Sequence, residues 1–90
     1  MSTTKLESVN QLLSLYQQGE RNFTEVSLEL ANFNQANLNQ INLKKARLGR
    51  GKFIDVKLIS ANLSEADLVE ADLSKSLLIE SNLAKTNLSK

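Results

Sequence analysis

The 90-residue chain has no cysteine, histidine, proline or tryptophan, and only 4% of it is aromatic. Without cysteine there is neither a disulfide nor a thiolate metal site. Without histidine the commonest general base and the commonest metal ligand are both missing. No apolar run approaches the roughly 20 residues that span a bilayer. The opening Met1–Asn10 stretch lacks the apolar core of a signal peptide. A soluble, cytoplasmic protein without membrane attachment is therefore expected. An excess of one charge is lacking too: 11 Lys and Arg face 10 Asp and Glu, for a net charge of +1. That balance favours neither a nucleic-acid binder nor an acidic mimic of one. The length allows a single small domain.

What the chain does have is 17 leucines and 10 asparagines. They are in phase. Every fifth residue from 23 to 88 is Leu or Phe: Phe23, Leu28, Phe33, Leu38, Leu43, Leu48, Phe53, Leu58, Leu63, Leu68, Leu73, Leu78, Leu83 and Leu88. Two residues before each centre the side chain is usually small, as at Ala31, Ala46, Ala61 and Ser76; Val26, Ile41 and Val56 are bulkier. Nine of the fourteen centres follow an Asn or Asp directly.

A five-residue period suits neither common element. On an α-helix the centres would wander around every face, and on a flat strand they would alternate between two. They share one side only if the backbone turns toward a common axis within each repeat. The small residue and the centre then point inward, and the other three face outward or form the corner. Asn and Asp suit such corners, because their side chains bond nearby backbone and tolerate unusual dihedrals. The expected product is an all-β solenoid around a column of Leu and Phe, with these fourteen residues as its structural core.

Segments such as Ala61-Asn62-Leu63-Ser64-Glu65, Ala66-Asp67-Leu68-Val69-Glu70 and Ala71-Asp72-Leu73-Ser74-Lys75 resemble the A(D/N)Lxx units of pentapeptide-repeat proteins. The resemblance covers residues 21–90. It implies a right-handed quadrilateral β-helix with four repeats per coil, about three and a half coils in all. Arg47, Lys52 and Lys57 replace the Asn or Asp, and Gly51 replaces the small side chain, so local distortion is expected near residues 47–57.

Residues 1–20 differ and read as an N-terminal capping helix ahead of the repeat domain of residues 21–90. Leu6, Val9, Leu13 and Tyr16 fall on one helical face with Leu12 beside them. Thr4 and Glu7 have capping-box spacing, and Gly19 is placed to stop the helix, which predicts a helix over residues 4–18. Its expected role is to plug one end of the solenoid. The junction Tyr16-Gln17-Gln18-Gly19-Glu20-Arg21-Asn22-Phe23 resembles that of some short cyanobacterial members of the family, one of them implicated in heterocyst differentiation.

Four repeats per coil would stack residues twenty apart. Asn22, Asn42, Asn62 and Asn82 become a ladder whose amides are expected to bond along the axis. Arg47 comes to lie beside Asp67, Arg50 beside Glu70 and Lys52 beside Asp72. The six bases of residues 41–60 are spread over four sides with acids next to most of them, so nucleic acid is disfavoured. Ile59 and Ile79 stack on one side with Leu77 close by, surplus to a core already supplied, and form a candidate protein-interaction patch. Leu88 is followed by no capping segment before Lys90. The last coil is expected to expose the tops of Leu73, Leu78, Leu83 and Leu88. A second copy pairing end to end, a partner covering that end, or a fragment or unusually short member would each account for it, and pairing into a homodimer is the preferred expectation.

No catalytic constellation emerges. Nothing marks a Ser or Thr as activated, and the acids alternate with Lys or Arg, which keeps carboxylates ionised. No EF-hand spacing is present, and Gly49 and Gly51 lack the order of a phosphate loop. The expectation is a noncatalytic protein–protein interaction or structural module, a regulatory adaptor with an unidentified protein partner and no cofactor or metal. The resemblance admits one alternative, a DNA-mimic modulator of a type II topoisomerase that protects gyrase. That role goes with long acidic rods, unlike this chain.

Overall fold

The computed structural model describes residue 6 and residues 8–90. Its single helix among these, α1 (Val9–Gln17), begins at an N-cap Ser8 whose hydroxyl accepts from the Gln11 amide at 3.2 Å. The helix therefore starts later than the expected residue 4, and the Thr4–Glu7 box lies outside the described residues. It stops as expected. Gly19 takes φ 101°, a conformation that suits glycine. The Glu20 amide then reaches the Leu15 carbonyl and the Gly19 amide the Tyr16 carbonyl, both at 3.0 Å, which closes a Schellman motif.

From Asn22 the backbone winds in square coils. Parallel bridges pair each residue of the Asn/Asp position with the one twenty further on, from Asn22↔Asn42 through Asp67↔Asn87. The coils are joined by backbone hydrogen bonds of 2.7–3.0 Å, such as Phe23 N–H to Asn42 O and Asn42 N–H to Arg21 O. Four five-residue sides make one coil. The first side carries Phe23, Leu43, Leu63 and Leu83; the second Leu28, Leu48, Leu68 and Leu88; the third Phe33, Phe53 and Leu73; the fourth Leu38, Leu58 and Leu78.

The corner sits elsewhere than the sequence reading put it. The Asn/Asp residues occupy the flat bridge. The turn is made by the two residues after each centre, the second of which has φ between 58° and 67° in all thirteen cases from Glu25 to Lys85. Positive φ at the third turn residue, with bonds such as Ala46 N–H to Leu43 O at 3.0 Å, is the type II pattern. These positions hold Glu, Gln, Lys, Arg, Asp, Ser and Leu rather than glycine, at a cost of about 1 kcal/mol each for an L-residue in the left-handed region. All nine Asn/Asp side chains work within their own repeat. Each Oδ1 accepts from the amide two residues on, at 2.9–3.3 Å, as Asn32 does from Asn34. The expected amide ladder along the axis is thus replaced by caps on each corner.

Nor is the coil distorted at residues 47–57. Arg47, Lys52 and Lys57 form bridges on both sides. Lys52 and Lys57 cannot accept from the amides two residues on. Asn34 and Asn39 of the coil below supply the missing acceptors, taking the Ile54 and Ile59 amides at 2.9 Å. Gly51 has a separate reason. The Phe33 and Phe53 rings stack with centroids 5.0 Å apart, and a Cβ on Gly51 would lie 2.7 Å from the Phe53 ring.

The core column is buried from Phe23 through Leu68. Above it Leu73, Leu78 and Leu83 are half-buried, and Leu88 is 48% exposed. Leu88, expected in the core, is half exposed because no coil of these 90 residues lies above it. The hydroxyls of Ser76, Ser81 and Thr86, in the small position of the last coil, donate down to the carbonyls of Phe53, Leu58 and Leu63. At the other end Leu12 of α1 is fully buried against the column, with Leu13, Leu15 and Tyr16 packed around it.

Candidate interaction surface

The column fills the interior, so the outer surface is what the coil presents. The four sides differ in charge. The first and second each carry six ionisable Lys, Arg, Asp or Glu residues and the third carries four, but the fourth has only Lys57 and Glu80. On that fourth side Leu77 is 44% and Ile79 59% exposed. Ile59 stacks below Ile79 but is half-buried, so it is an edge of the patch rather than its centre. Leu77 also stands where an Asn or Asp would cap the next corner, and no hydrogen bond takes up the Ile79 amide. The fourth side thus offers two aliphatics beside an open donor. Leu30, 71% exposed at a left-handed corner of the first coil, is a lone apolar residue that the repeat pattern did not single out.

The charged columns stack in the expected register, but register alone does not make ion pairs. Among the described residues only Arg50 and Glu70 close, at 3.1 Å, and both are exposed. Such a pair contributes little. Asp72 has a different environment. The Ser74 hydroxyl and then the Ser74 amide donate to it, and Lys52 lies in the coil below. Together they hold its carboxyl below the usual range. This carboxylate is exposed and fully engaged in capping a corner. Among the described residues no group of three His, Cys, Asp or Glu gathers as a metal site, and no helix is long and apolar enough to cross a membrane.

The pattern of the family described as Pentapeptide repeats matches residues 22–58 and 57–90, in eight copies. The chain belongs to the pentapeptide-repeat family. Its coils are accordingly those of a right-handed quadrilateral β-helix. A pentapeptide-repeat protein from the Arabidopsis thaliana thylakoid lumen is 38% identical, with a TM-score of 0.74 over 76% of this chain and 47% of that one. One from Nostoc PCC 7120 is 29% identical with a TM-score of 0.68, covering 97% of this chain and 76% of the other. HetL, a pentapeptide-repeat protein involved in heterocyst differentiation regulation in Nostoc sp. strain PCC 7120, is 32% identical with a TM-score of 0.56, over 92% of this chain and 37% of HetL. The chain therefore spans about half the length of the Arabidopsis protein and less of HetL. A search of curated proteins finds no match. The pentapeptide-repeat fold accounts for all fourteen centres. It does not by itself assign Leu77, Ile79 or Leu30 a role.

Proposed function

We propose that this pentapeptide-repeat chain is a noncatalytic interaction module, a regulatory adaptor of the cytoplasm that presents its fourth side to a protein partner. The observation that carries this reading is the exposure of Leu77 and Ile79 on the least charged side. Exposed apolar residues grouped on one face favour a partner site over simple solvation. A rigid coil also presents such a patch at little ordering cost on binding. HetL supports the regulatory part of the reading, as a protein of the same fold involved in heterocyst differentiation regulation. The gyrase-protecting alternative gains nothing from the surface, because none of the four sides carries an excess of acids.

The test is affinity capture with cross-linking from native extract, comparing wild type with a Leu77→Lys, Ile79→Lys double variant. Both residues point outward, so the circular dichroism spectrum and melting temperature should hold. Specific cross-links to residues 57–80 should disappear in the variant. A partner captured equally well by both proteins would overturn the fourth side as the recognition surface.

A further inference from the structure

Each corner leaves one amide, that of the residue after the centre, outside the hydrogen bonds between coils. Eleven of the fourteen such amides are taken up by an Oδ1. Nine bond the Asn or Asp two residues before them, and those of Ile54 and Ile59 bond Asn34 and Asn39 of the coil below. The amides of Glu29, Gly49 and Ile79 have no acceptor. Glu29 and Gly49 are twenty residues apart, so two open donors stack on the second side of the first two coils.

Three features meet at Gly49. It is half-exposed, its φ is not positive, and an added Cβ would meet only the Val69 carbonyl, at an ordinary 3.7 Å. Neither the backbone nor the packing demands a glycine here, unlike at Gly51. What the glycine leaves is bare backbone, which suits the close approach of another group. Arg47 stands where the cap would be, a donor in place of an acceptor. It is exposed, and among the described residues no hydrogen bond or ion pair holds its guanidinium. Lys45, also exposed, lies two residues before it, at roughly the 6–7 Å of alternate residues in an extended chain.

Two of the nearby acids are engaged. Asp67 Oδ1 accepts from the Val69 amide at 3.0 Å, and Glu70 pairs with Arg50 at 3.1 Å. Glu29 is not. It lies directly below Gly49, in the position from which Asn34 and Asn39 reach up on the third and fourth sides, yet it takes no amide. Its charge opposes an incoming anion without filling the place of one.

We infer that residues 45–49 on the second side bind an extended acidic segment of another protein. One carboxylate oxygen takes the Gly49 amide, as Asp67 takes the Val69 amide one coil above, and the other accepts from the Arg47 guanidinium. A second carboxylate two residues along that segment faces Lys45, because alternate side chains of an extended chain share this spacing. With Glu29 and Asp67 beside the site, a singly charged carboxylate fits better than a doubly charged phosphate. The site is independent of the Leu77–Ile79 patch.

The experiment titrates the isotope-labelled 90-residue chain with three probes: a blocked pentapeptide carrying aspartate at two alternate positions, its asparagine counterpart, and inorganic phosphate. The aspartate peptide is expected to shift the amide resonances of Glu29, Arg47, Gly49 and Arg50, and to bind about ten-fold more tightly than the asparagine peptide. Arg47→Asn gives this corner the internal cap that Asn42 gives the Lys44 amide. It should abolish the Gly49 shift without lowering the melting temperature, and unchanged resonances of residues 61–70 would certify its fold. Glu29→Ala should tighten binding roughly three-fold by removing the opposing charge. Equal binding of the two peptides, or binding by the Arg47→Asn variant as by wild type, would overturn the inference. So would weaker binding by Glu29→Ala, shifts confined to Leu77 and Ile79, or phosphate producing the same shifts at lower concentration than the aspartate peptide.

Discussion

The two ends of this rod are built from the same five-residue unit and meet opposite fates. At the first coil Phe23, Leu28, Phe33 and Leu38 are buried because α1 lies across them. At the last coil Leu73, Leu78 and Leu83 are half-buried and Leu88 is exposed, although they occupy equivalent positions. The repeat thus specifies direction, inward or outward, but burial comes from whatever lies above or below. Stability in a solenoid is a sum of neighbour contacts, so an identical change should cost much in the middle and little at the open rim.

Charge replacement breaks that comparison most sharply. Leu48→Asp puts a carboxylate into a fully buried site and is expected to unfold the chain, since the cost exceeds about 4 kcal/mol. Leu88→Asp should cost less than about 1 kcal/mol, because its side chain already meets water. Urea titrations followed by circular dichroism would measure both, and equal losses would contradict the graded core. At the covered end, Leu12→Ala should cost roughly 2–4 kcal/mol. A loss below about 1 kcal/mol would mean that α1 rests on the coil without sealing it.

The centres were legible because their spacing is inflexible; each must turn inward, and fourteen in phase admit one arrangement. The corners were not. Their left-handed residue is Glu25, Leu30, Lys45 or Asp55 in turn, and no residue type marks it. Asn and Asp do stabilise the corner, as their chemistry suggests, but they cap it from the bridge before it rather than forming it. The compensation by Asn34 and Asn39 could not be read within one repeat, because the acceptor and its amide lie twenty residues apart. Of the candidate patch, Leu77 and Ile79 are exposed and Ile59 is half-buried.

Gly51→Ala tests the third side. The new Cβ would press on the Phe53 ring and should cost about 1–3 kcal/mol in thermal unfolding. Phe53→Leu in the same chain should recover much of that loss. Failure of this rescue would show that the ring is not what demands the glycine.

The smallest effect concerns Asp72. Its carboxyl is held below the ordinary value of 3.8, chiefly by Ser74. A lowered folded pKa adds stability that is complete above the unfolded value and fades as pH falls through the folded one. Asp72→Asn keeps the capping oxygen but not the charge. The difference in melting temperature between wild type and this variant should be constant from about pH 5 to 7, roughly one unit and more above the unfolded carboxylate's pKa. It should shrink in more acid solution, and a difference independent of pH down to full protonation would contradict the assignment.

Amide hydrogen exchange resolved by residue tests most directly the twenty-residue register and its direction. In the first coil the centre amides of Phe23, Leu28, Phe33 and Leu38 donate to the coil above and should be protected, although this coil is terminal. In the last coil the centre amides of Leu73, Leu78 and Leu83 should exchange near the rate of an unfolded chain, while the amides of Asp72, Leu77, Asn82 and Asn87, which donate downward, stay protected. Equal exchange at the two sets of last-coil amides, or protection that follows a helical period through residues 22–88, would contradict the coil described here.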